Sequence, residues 1–186
     1  MRAEKSNGSE IMKFAKGIVV VSAVALAGTM AAATLAYAAS LAVGKKLELR
    51  VDPKAMNEER AALWKKFGGW CAIKDWHPAI ANCEESTNGG AKVRVLTLKD
   101  GGTIKERLLD EQPNFYRYEM LESPLPVKNY QGQFALTPDD DDEDEINFAW
   151  SAVFDANGKP DKEARDTIDG LFKAGLDNIK VMAATK

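Results

Sequence analysis

Three observations predict an α+β fold in which a curved antiparallel sheet lies under one long C-terminal helix. Strand-like runs recur at regular intervals between residues 92 and 154, and turn-forming residues separate them. The last segment, "DKEARDTIDGLFKAGLDNIKVM" (161–182), then carries a continuous apolar stripe at helical spacing.

In chain order, Lys13 and Lys16 precede an apolar run over 18–35 that ends in Ala36-Tyr37-Ala38, the layout of a secretory signal peptide. The run is just long enough to serve instead as an uncleaved anchor. Cleavage leaves a body of 39–186, long enough for one domain and lacking a second apolar stretch, so it is expected to be soluble and free of the membrane. The whole chain has a formal net charge of −3, and the leader holds more basic than acidic residues, so the body is more acidic still. Such a surface argues against nucleic acid or anionic lipid as partner.

"AVGKKLELRV" (42–51) alternates as a first strand, and Asp52-Pro53 supplies a cap and a first helical residue. A helix over 54–67 turns Ala55, Ala62, Leu63 and Phe67 inward before Gly68-Gly69 ends it. "WCAIKDWHPAIANC" (70–83) is expected as a short helix or irregular turn, because Pro78 disfavours helix through His77. Then follow the strand runs 92–98, 103–109, 115–121, 127–137 and 145–154. Asp100-Gly101-Gly102 and Gln112-Pro113-Asn114 act as turns, which gives an antiparallel meander. On the final helix Ile168, Leu171, Phe172, Gly175, Leu176, Ile179 and Met182 share one face.

Trp76-His77-Pro78, Glu106-Arg107, Tyr118, "ESPLPVKNY" (122–130), the late Trp150 and the terminal helix, in this order, resemble the SRPBCC or START-like superfamily. The resemblance is to its polyketide cyclase/dehydrase-like branch, which includes secreted MxaD-type proteins associated with methanol oxidation, and it spans roughly 43–182. It implies a helix-grip fold, with the sheet wrapped around the long helix and an apolar cavity between them. It also implies a Trp-His-Pro turn near the cavity mouth. The superfamily spans carriers, cyclases and proteins of no known activity, so fold alone names no function.

Alternation along the strands supports a large apolar inner face independently. Tyr116, Tyr118 and Met120 share it, as do Tyr130, Phe134 and Leu136 on the next strand, and Ile146, Phe148, Trp150 and Phe154 on the last. The same pattern suits a filled core. Buried tyrosines nevertheless need partners that a ligand or trapped water can supply. Glu106, between Ile104 and Leu108, faces the same way and must be paired, protonated or used. The expected ligand-binding set is Trp76, His77, Glu106, Tyr116, Tyr118, Met120, Tyr130, Phe134, Phe148, Trp150, Leu171 and Gly175, with Gly170 and Gly175 leaving room on the helix.

Cys71 and Cys83, the two cysteines, are expected to form a disulfide in an oxidising periplasm, a staple of roughly 3 kcal/mol by chain entropy. A zinc site from Cys71, His77 and Cys83 has awkward spacing and lacks a fourth ligand. No metal or cofactor is expected. The seven acids of 139–145 read as a solvated hairpin, with loose cation binding or docking to a basic partner as alternatives. The expected function is a periplasmic or secreted carrier or sensor for an apolar or aromatic small molecule. The alternatives are a cyclase or dehydratase using His77, Glu106 and a tyrosine as acid–base groups, and an MxaD-type accessory docking to a periplasmic dehydrogenase or cytochrome.

Overall fold

The computed structural model describes residues 40–185, so the expected leader, and with it the division at residue 39, lies outside the described residues. Strand β1 (Leu41–Arg50) leads through a 3₁₀ turn (Pro53–Ala55) to α1 (Met56–Phe67) and the short α2 (Ile73–Trp76). A meander follows: β2 (Ile80–Asn88), β3 (Ala91–Leu98), β4 (Thr103–Gln112), β5 (Phe115–Glu122), β6 (Val127–Pro138) and β7 (Glu145–Ala156). Helix α3 (Asp161–Ala184) ends the chain. The strands form one antiparallel sheet in the order β1-β7-β6-β5-β4-β3-β2. This is the helix-grip α+β architecture expected from the sequence.

Local chemistry explains the elements. The Asp52 side chain accepts from Lys54 N at 2.9 Å and Pro53 opens the turn, which delays α1 to Met56. Ala62 is exposed, contrary to expectation, while Trp64 is half-buried against the core beside Leu63 and Phe67. Residues two apart on a helix point about 200° apart, so the face that turns Trp64 toward the core leaves Ala62 to solvent. On α3, Ala164, Ile168, Phe172, Gly175, Leu176 and Ile179 are buried, a stripe of 3.6-residue period facing the sheet. Pairing irregularities between Lys105 and Glu106, Leu108 and Asp110, and Lys128 and Gln131 bend the strands and help the sheet curve.

Strand β2 is a correction, because the segment before residue 91 is not irregular throughout. Asn88 pairs with Ala91 across Gly89 and Gly90, both at positive φ (58° and 83°), a two-residue hairpin turn that glycine adopts at no steric cost. As an edge strand β2 buries Ile80 and leaves Glu84 to Asn88 exposed, so it lacks the apolar alternation that marks the other strands. Among the described residues no helix is long and apolar enough to cross a membrane.

Candidate functional site

Between α3 and the sheet lies a cavity of about 310 Å³. Ile73 and Ile80 close it near α2, and Leu96, Leu98 and Ile104 line the sheet side. Ile168, Leu171 and Phe172 of α3 form the opposite wall. Lys99, Asp100 and Leu125 belong to the β3–β4 and β5–β6 connections and mark its rim, where the lysine and aspartate are exposed.

The polar side of the cavity begins with Glu106. Its carboxylate is buried, and Oε2 accepts from Arg94 Nε at 2.6 Å. The hairpin register sets this pair: Arg94 faces Glu106 across β3 and β4, as Leu96 faces Ile104. The guanidinium also donates to the Trp70 carbonyl oxygen and stacks 3.8 Å from the Trp70 ring centroid. Burial opposes the Arg94 charge, but Glu106 beside it more than offsets this and holds the Arg94 pKa above its ordinary value. The inward Glu106 read from the sequence is therefore the paired carboxylate among the alternatives. Sequence reasoning missed its partner, although Arg94 lies as far before Asp100 as Glu106 lies after it.

Next come two phenols and an indole. Trp150 Nε1 donates to Tyr118 Oη at 2.9 Å, and the Tyr118 and Tyr130 hydroxyls share a hydrogen bond at 3.2 Å. Gly132 makes this possible, since a Cβ there would meet the Tyr118 ring at 2.5–2.9 Å. Burial, seconded by Glu106 for Tyr118 and by Tyr118 for Tyr130, pushes both phenols above their ordinary range, so they remain protonated donors.

His77 reaches the cavity with both ring nitrogens engaged. Ala79 N–H donates to Nδ1 at 3.1 Å, which leaves the proton on Nε2 to donate to the Leu171 carbonyl, also at 3.1 Å. This is a neutral imidazole that latches the 70–80 segment onto α3. Asn178 Nδ2 donates to the Trp76 carbonyl at 2.6 Å and adds a second latch. Cys71 and Cys83 are joined, with Cα atoms 5.6 Å apart, tying this segment to β2. The bond consumes the thiolates a Cys71–His77–Cys83 zinc site would need.

Of the residues expected around a ligand, His77, Glu106, Tyr118, Met120, Tyr130, Trp150 and Leu171 line the cavity, whereas Trp76, Tyr116, Phe134, Phe148 and Gly175 do not. Trp76 stacks on Phe134 at 5.6 Å and Phe134 on Phe148 at 5.4 Å, a filled aromatic core. Tyr116 packs edge-on against Trp70 at 5.3 Å. Gly175 leaves no open room: a Cβ there would lie 2.8 Å from His77 Cδ2 and 2.9 Å from both Trp76 and Trp150. It is the point where the Trp76-His77 turn touches the helix, and Gly170 is exposed. Leu96, Leu98, Ile104 and Ile168 are cavity residues that sequence reasoning missed, although their inward parity with Glu106 and Phe172 was visible.

The acidic hairpin folds back on β1. Arg50 pairs with Asp142, Asp144 and Glu145, and Asp139 takes Lys46 and Asn147 Nδ2. Among the described residues, no three His, Cys, Asp or Glu side chains are grouped as metal ligands.

The family described as polyketide cyclase/dehydrase and lipid transport matches residues 57–183, which contain the cavity. The chain belongs to that family. Solved structures similar to it include the protein XoxI from Bacillus cereus, at 26% identity and a TM-score of 0.67, covering 77% of this chain and 96% of that one. The Zhui aromatase/cyclase from Streptomyces sp. R1128 is 16% identical with a TM-score of 0.59, covering 78% and 94%. Norcoclaurine synthase from Thalictrum flavum is 17% identical with a TM-score of 0.54, covering 80% and 88%. The last two share the fold alone. No curated protein sequence matches the chain. Membership of the polyketide cyclase-like family, with this cavity, supports a hydrophobic ligand-binding or cyclase-like function.

Proposed function

We propose that this domain is a periplasmic carrier or sensor that binds an apolar or aromatic small molecule between α3 and the sheet without turning it over. The observation that carries the reading is the 310 Å³ cavity, walled by aliphatic and aromatic side chains and holding few polar groups. The lack of turnover is supported by the spent histidine, since a general acid or base needs a proton it can exchange with the substrate. Export is supported by the basic-then-apolar start ending in Ala-Tyr-Ala and by the disulfide, which suits an oxidising compartment. Docking to a periplasmic redox protein through 139–145 has less support, because Lys46 and Arg50 already engage four of those acids.

The test is native mass spectrometry of the exported protein beside its Leu96→Phe variant. The added ring should occupy the cavity, displace a co-purified apolar compound and leave the melting temperature equal or higher, as cavity filling does. Protein that is always empty, with a variant destabilised by the roughly 1–3 kcal/mol of an overpacked core, would refute the reading.

A further inference from the structure

The hydrogen bonds among Trp150, Tyr118 and Tyr130 do not balance. Three protons are on offer, one indole N–H and two phenol O–H groups, and the three residues make two hydrogen bonds with one another. If Tyr118 donates to Tyr130, the Tyr130 proton is left over; if Tyr130 donates to Tyr118, the Tyr118 proton is. Either way one O–H lacks an acceptor among the described residues, on side chains that are 1% and 3% exposed and that line the cavity. Glu106 has the complementary deficit. Its Oε2 takes Arg94, while Oε1 has no protein donor among the described residues. One donor and one acceptor therefore face the same apolar space, where an unmade hydrogen bond is costly.

We propose that the ligand is a neutral apolar compound bearing a hydroxyl group, whose oxygen accepts from the Tyr118–Tyr130 pair and whose proton goes to Glu106 Oε1. The inference rests on the binding reading above and narrows its ligand class. A hydroxyl satisfies both groups at once. An ether or ketone satisfies only the phenol, and a carboxylate would bring its charge against Glu106. The Arg94 charge cannot compensate, because it is held by Glu106, the Trp70 carbonyl and the Trp70 ring. The high phenol pKa values keep the donor protonated throughout the physiological range.

Three probes of one skeleton separate the contributions when titrated calorimetrically into the full chain: naphthalene, 2-methoxynaphthalene and 2-naphthol. Methoxynaphthalene should bind about tenfold tighter than naphthalene through the phenol donor, and naphthol about tenfold tighter again through Glu106. Tyr118→Phe/Tyr130→Phe should remove the first step and keep the second. Arg94→Met/Glu106→Leu, which leaves no bare charge behind, should remove the second and keep the first. Equal affinity for the three probes, or steps that survive both double variants, would overturn the hydroxyl assignment while naphthalene binding still upholds an apolar ligand. Failure of every probe to bind, naphthalene included, would overturn the binding reading and this inference with it.

Discussion

The interior has two apolar halves, and they do different things. Toward α1, Trp76, Phe134 and Phe148 stack in sequence, and Phe67 meets Phe148 edge-on at 5.8 Å. Toward the β3–β4 hairpin, Leu96, Leu98, Ile104 and Met120 face space instead of one another. Trp150 stands at the boundary, stacked 4.4 Å from Phe172 and edge-on to Trp76 at 5.5 Å. The difference lies less in hydrophobicity than in ring count: flat aromatic faces fill the first half, while aliphatic chains stop short of each other in the second. One half therefore supplies rigidity to a wall of the other, as a preformed pocket requires.

The largest effect should come from the charge buried beside the cavity. Arg94→Met alone strands the Glu106 carboxylate and should destabilise the protein by about 3–5 kcal/mol in urea unfolding. The double variant Arg94→Met/Glu106→Leu should recover most of that loss. If the single variant were as stable as wild type, the pair would not hold the cavity wall together.

Matched truncations test the two halves directly. Leu136→Ala, in the filled half, should cost about 4 kcal/mol, because its neighbours cannot collapse into the hole. Leu96→Ala, already beside free space, should fall near the low end of the range, about 2–3 kcal/mol. Equal losses would mean the halves are packed alike. Gly175→Ala should cost about 1–3 kcal/mol, since its methyl would press on three buried rings that have little room to retreat.

That glycine shows where sequence reasoning reached and where it stopped. Helical spacing placed Gly175 on the buried face of α3, but spacing cannot say whether a missing side chain leaves a hole or admits a neighbour. Here the Trp76-His77 turn fills the space. The inward faces of β5, β6 and β7 were legible because alternation reports facing, so Tyr118, Tyr130 and Trp150 were found. Alternation does not report depth, so it cannot tell Phe134 and Phe148, which belong to the filled half, from residues that face the cavity. Arg94 was hidden by its charge: an inward arginine looks like a solvent-facing one until the turn at Asp100 sets it opposite Glu106. Strand β2 was hidden because an edge strand with one wet face needs few apolar residues.

The smallest effect concerns pH and the latch that holds the 70–80 segment to α3. Burial depresses the His77 pKa below its ordinary 6.5, and nearby Lys99 lowers it further, against the Leu171 carbonyl that raises it. A second proton on the ring would also sacrifice the bond from Ala79 N–H, because Nδ1 could no longer accept. With the folded pKa below the unfolded one, the unfolded chain binds more protons between the two values. The contribution of His77 to stability is thus fully present above pH 6.5, declines as pH falls toward the folded pKa, and levels off beneath it. Carboxylates titrate in an overlapping range, so the measurement is the difference between wild type and His77→Gln in urea unfolding at stepped pH. That difference should shrink as the pH is lowered from 7 to 5. A constant difference, or one that grows on acidification, would mean that His77 is not held neutral between Ala79 and Leu171.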